Sequence, residues 1–133
     1  FHKNGRKVVD YMLQSEYQSK FSRIDKALAK CKNAFQSRGR SDSDWVALLV
    51  SEGQPPVKNG KPVAEDQLLA NADALKAIGA KIYSVSIRAN EKQKNRLRSI
   101  SGVSGSSEPL FRTAEYTTKF HKFAEELVKE TCP

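Results

Sequence analysis

Two short apolar stretches with a helical segment between them constrain this chain more than any other feature. The first, Trp45-Val46-Ala47-Leu48-Leu49-Val50-Ser51, runs into Glu52-Gly53-Gln54-Pro55-Pro56. The second is Lys81-Ile82-Tyr83-Ser84-Val85-Ser86-Ile87. The first lacks polar alternation, which points to a strand covered on both faces, as in the middle of a parallel sheet. Between the two, Leu68, Ala72 and Leu75 mark a buried helical stripe, with Leu69 and Ile78 beside it. Pro62 is expected in the first turn of that helix, where its missing amide costs nothing, and Gly79 supplies the stop.

The same grammar extends outward. Val8, Val9, Met12 and Leu13 give a helical stripe over about 5–16. Ile24, Leu28, Cys31 and Phe35 give a stronger one over 23–37, which Ser22 and Asp25 are expected to cap. Asn90 with Gln93 forms a second capping pair, opening a short helix that buries Leu97 and Ile100. Leu110-Phe111-Arg112 reads as a third strand. Tyr116, Phe120, Phe123 and Leu127 face one way on a last helix over about 114–131. Strands alternating with helices at this spacing predict an α/β, doubly wound (Rossmann-like), mostly parallel sheet with helices on both faces.

At 133 residues the chain allows one domain. Its longest apolar run, Trp45 to Val50, is far short of the ~20 residues a membrane span needs. The net charge is +8, and it is unevenly placed. Residues 1–40 hold ten Lys or Arg against Asp10, Glu16 and Asp25, whereas the remainder is balanced. A field of that kind favours polyanions, although a solvated helical face is the simpler reading.

Several segments together resemble the von Willebrand factor A domain. Asp44 to Gly53, followed by Gln54-Pro55, is similar to the family's strand that ends in Thr-Asp-Gly-x-Pro. Leu75 to Ile87 matches its helix-Gly-strand unit. Leu97 to Ile100, a Ser/Gly loop and Pro109-Leu110-Phe111 match its penultimate helix and last strand. Ala124 to Lys129 with Cys132 matches its ending, and Arg23 to Leu28 the helix after its metal-binding Thr loop. The resemblance covers about residues 5–132 of a single domain, 1–133. The family's opening strand, with Asp-x-Ser-x-Ser, has no counterpart. The chain is therefore expected to represent the C-terminal two-thirds of such a domain, with the rest upstream in the natural protein. Without that strand, the apolar strand at 45–51 would have an open edge.

What the resemblance implies is an extracellular adhesion or matrix module, secreted or part of an ectodomain, that binds a protein ligand through a metal-ion-dependent adhesion site. That site is eroded in this sequence. The family's Asp position is Glu52, preceded by Ser51, and the loop at Ser19, Lys20, Phe21 and Ser22 offers hydroxyls but no Thr. Ser51, Glu52 and Ser22 are the candidate metal ligands, with Lys20 opposing a cation. Mg²⁺ or Ca²⁺, which take oxygen shells, would be expected in the complete domain. Ser19, Lys20, Glu52 and Gln54 are the candidate contacts for the protein ligand.

The alternative is a metal-independent basic module. Arg88, Lys92, Lys94, Arg96 and Arg98 stand against only Glu91. The cluster lacks the interleaved aromatics that base stacking needs, so sulfated glycan is favoured over nucleic acid. Cys31 lies on an apolar stripe and is expected to be a buried free thiol. The resemblance implies that Cys132 pairs with a cysteine upstream, a Cys31–Cys132 bridge being the lesser option. His2 and His121 form no site, and Gly102-Val103-Ser104-Gly105 follows a helix rather than a strand, the wrong context for a phosphate loop. No nucleophilic or acid–base constellation stands out, so a binding module rather than an enzyme is expected.

Overall fold

The computed structural model describes residues 23–106 and 108–114. The elements run α1 (Ile24–Arg38), β1 (Val46–Ser51), β2 (Val57–Lys58), β3 (Lys61–Pro62), α2 (Glu65–Ala77), β4 (Lys81–Ile87), α3 (Glu91–Ile100) and β5 (Phe111–Ala114). The expected helices at 5–16 and 114–131 fall outside the described residues, except that 111–114 form the third strand.

β4 is the centre of a three-stranded sheet ordered β1-β4-β5, parallel to both neighbours. Its five inner residues, Ile82 to Ser86, are all buried. The helices α2 and α3 make the two crossovers. Successive crossovers of the same hand, stepping the same way along a sheet, put their helices on one face. The core agrees: Ile82 of β4 packs in one cluster with Ile24, Leu28 and Phe35 of α1, Leu68, Ala72 and Leu75 of α2, and Leu97 and Ile100 of α3. Ala47, Leu49 and Phe111, which share that face by register, lie against it. Leu68, Leu75, Ile82, Leu97 and Ile100 are at most 1% exposed. Each contributes about 1.5–3 kcal/mol of burial free energy.

β1 departs from the expectation of a strand covered on both faces. Among the described residues it ends the sheet, and its accessibility alternates. Leu48 and Val50, on the face away from the helices, are 43% and 41% exposed. Their neighbours on that face, Tyr83 and Val85, are buried, so the exposure belongs to the β1 side of the sheet.

Local chemistry sets the element ends. The capping box at α3 forms as expected: Gln93 N–H donates to Asn90 Oδ1 at 3.0 Å and Asn90 N–H to Gln93 Oε1 at 2.7 Å. Ser22, half of the cap expected at α1, lies outside the described residues. The N-cap is Arg23, with no side-chain cap, and the Arg23 guanidinium grips Asp25 through Nε at 2.9 Å and Nη2 at 2.6 Å. That grip holds the Asp25 carboxyl below its ordinary value. Asn71 Nδ2 donates to the Asp25 carbonyl at 3.1 Å, tying α1 to α2. Phe35 stacks on Trp45 with centroids 5.5 Å apart, fixing the C-terminal end of α1 against the approach to β1.

The segment before α2 is a hairpin rather than a helix start. Pro62 sits in β3, paired with Val57, and α2 begins at Glu65. Asn59 and Gly60, at φ 52° and 74°, form the two-residue turn. Left-handed backbone at both positions is what such hairpin turns demand, and Asn-Gly meets it at least cost.

Candidate functional site

The C-terminal ends of β1 and β4 meet the N-terminus of α3, and the chain leaves β1 there through Ser51-Glu52-Gly53-Gln54. Ser51 lies beside Ser86 in the register. Its Oγ accepts a hydrogen bond from Gly53 N–H at 3.0 Å, turning the chain sharply at the strand end. Gly53 is buried at φ 70°. A Cβ at that position would stand 2.6 Å from the Gln93 carbonyl oxygen and 3.1 Å from Leu97 Cγ. Only glycine allows both the backbone sign and the contact with α3.

Arg96 locks this turn from below. It is 8% exposed; its Nη1 donates to the Gly53 carbonyl at 2.7 Å, and its Nε reaches Glu65 Oε1 and Oε2 at 2.9 and 3.1 Å. One guanidinium therefore joins the β1 turn, the start of α2 and the middle of α3. Glu52 and Gln54 are left exposed at the rim, as ligand-contacting side chains would have to be. Ser19, Lys20 and Ser22, expected beside them, lie outside the described residues.

For a divalent cation, the described residues offer Ser51 Oγ, already an acceptor from Gly53, and the Glu52 carboxylate. No group of three or more His, Cys, Asp and Glu gathers among them. Two oxygens fall well short of the roughly six that Mg²⁺ or Ca²⁺ takes, so the described residues do not by themselves fit a metal.

The basic cluster is largely spoken for. Arg96 is turned inward and leaves the expected polyanion surface for a physical reason: its donors satisfy Glu65 and a buried carbonyl. Lys94 pairs with Glu91 at 2.6 Å. Arg98 donates to Asn95 Oδ1 at 2.7 Å, stands 3.7 Å from Glu91 and lies over the Phe111 ring at 4.7 Å. Lys92 is exposed, and Arg88 is exposed at φ 52°. Cys31 is a free, half-buried thiol whose pKa is raised by burial; Cys132 lies outside the described residues.

The strand end and its Ser51-Glu52-Gly53 turn are legible in the sequence, whereas Arg96 as its anchor and the hairpin beside it are not. Asn59-Gly60 was the available signal for the hairpin. Nothing local distinguishes Arg96 from its neighbours, because its partners lie 31 and 43 residues away.

No protein-family model matches the sequence, and no curated protein is significantly similar to it. Solved structures do resemble it in fold. The pilus adhesin SpaC from Lactobacillus rhamnosus GG, in an open conformation, superposes with a TM-score of 0.74 at 11% identity over 98% of this chain. The manganese-loaded Plasmodium vivax TRAP protein superposes with a TM-score of 0.61 at 18% identity over 96% of this chain. The chain spans 21% of the adhesin chain and 46% of the TRAP chain. With the β1-β4-β5 parallel sheet and its crossover helices, these likenesses give the chain the α/β fold of a von Willebrand factor A-type domain.

Proposed function

We propose that this chain is part of an extracellular adhesion module that binds a protein ligand at the C-terminal ends of β1 and β4, without catalysis. The observation that carries the reading is the turn after β1. Arg96, Ser51 and the close approach of Gly53 to α3 hold it rigid, while Glu52 and Gln54 project to solvent. Ligands of open parallel sheets bind at this end, and a pinned turn loses little entropy on binding. Likeness to a pilus adhesin supports an adhesive role. Likeness to a manganese-loaded protein supports a cation in the complete domain, with ligands from outside the described residues beside Ser51 and Glu52. Among the described residues the face of Leu48 and Val50 and the outer edge of β1 are open. No helix among the described residues is long and apolar enough to cross a membrane.

Sulfated glycan is the weaker reading, because Lys94, Arg96 and Arg98 already have partners in the fold. The test is binding of the full natural protein to immobilised collagen, fibronectin and laminin, with and without EDTA. Binding to at least one that Glu52→Ala with Gln54→Ala abolishes supports the proposal. Binding indifferent to both substitutions, or retention on heparin alone, overturns it.

A further inference from the structure

We infer that the hairpin Val57–Pro62 is a contact element of this site, presenting Lys58 and Lys61 to a carboxylate-bearing segment of a protein partner. The inference rests on the proposed ligand site, since the hairpin leaves from the same turn. Lys58 and Lys61 are direct partners in the register across the Asn59-Gly60 turn. Directly opposed residues in an antiparallel pair share a face, so both ammonium groups project from one side of the hairpin. Like charges placed this way repel, and a two-stranded ribbon of two residues each has little to set against it. Both lysines are exposed, and neither has an ion-pair partner among the described residues. A bound anion would turn the repulsion into attraction.

The hairpin is also held in place at its base. Val63 N–H donates to the Pro56 carbonyl at 2.7 Å, Pro56 is buried, and Arg96 fixes Gly53 three residues upstream. Its tip is open: a Cβ at Gly60 would meet nothing within 4 Å. The chain thus offers a clamped base, a free tip and two unpaired cations on one face. A polyanion chain gains affinity from each counterion its contacts release, and so favours an extended track of cations. The next cations, on α3, are mostly engaged by Glu91 and Glu65. Two adjacent lysines suit a short acidic peptide stretch better.

Fluorescence polarisation of labelled decaglutamate with the full chain tests this. Lys58→Gln with Lys61→Gln should weaken binding about fivefold, the scale of two exposed ion pairs. Lys26→Gln with Lys30→Gln removes the same charge from exposed positions on α1 and should change affinity less than about twofold. Circular dichroism confirms that both variants fold. An equal loss in both variants, or none in the hairpin variant, overturns the inference. So does a heparin hexasaccharide that displaces the peptide and itself depends on the hairpin lysines, which would assign the element to glycan. The strand-end reading fails separately, through Glu52→Ala and the matrix proteins.

Discussion

Replacing Arg96 by Met should destabilise the chain mainly through a carbonyl rather than through a lost ion pair. Met keeps much of the apolar stem and removes the guanidinium. Two groups then lose their donor. Glu65 has a side chain 48% exposed, so its carboxylate returns to water, and its half of the interaction is worth about 0–1 kcal/mol. The Gly53 carbonyl sits in a buried turn pressed against Gln93 and Leu97 and has no such route. Stranding it costs about 1–3 kcal/mol. The sum is roughly 1–4 kcal/mol, against under about 1 kcal/mol for Glu65→Gln, whose amide oxygen can still accept from Arg96 and which leaves Arg96 on Gly53. Urea unfolding followed by circular dichroism, with unchanged m-values, reads both, and Arg96→Met should also lower Tm by roughly 3–16 °C. Equal destabilisation by Arg96→Met and Glu65→Gln would show that the ion pair, and not the Gly53 carbonyl, dominates. A cost for Arg96→Met below about 1 kcal/mol would contradict a stranded carbonyl.

Three other outcomes follow from the same structure. Gly53→Ala should cost about 1–2 kcal/mol for its left-handed backbone, and more because its Cβ would lie 2.6 Å from a helix carbonyl; thermal melts check it. Asp25, lowered by its hydrogen bonds from Arg23, contributes stability that is complete above the ordinary carboxylate pKa and lost as pH falls through the lowered one. Asp25→Asn should therefore flatten the acid limb of a stability-versus-pH curve, and an unchanged limb would contradict the assignment. Ser84 Oγ is buried without a partner among the described residues, so Ser84→Ala should be neutral or stabilising by up to about 1 kcal/mol in urea unfolding.

Much of the fold is legible because its signals are local or periodic. The Ile24, Leu28 and Phe35 stripe is buried as its spacing predicts, β4 spans the residues its apolar run marks, and the Asn90/Gln93 box forms within one turn. β1 is parallel as expected, but its outward residues show that an apolar run reports composition and not cover. The hairpin is masked by the prolines around it, and its strands are too short to carry a period. Pro62, a natural opener of helices, instead closes the hairpin. The site splits in the same way. The strand-end turn is visible in Ser51-Glu52-Gly53, whereas the role of Arg96 depends on contacts between α3, α2 and β1 that exist only once the sheet has formed.

On the proposed reading, ligand is met at the strand ends, on the pinned turn and the hairpin. Hydrogen–deuterium exchange of the full natural protein, free and saturated with whichever of collagen, fibronectin or laminin it binds, tests this most directly. New protection is expected over residues 51–62 and 90–93. Protection confined to the exposed face of α1, or to the opposite ends of the strands around Asp44 and Lys81, would contradict that reading.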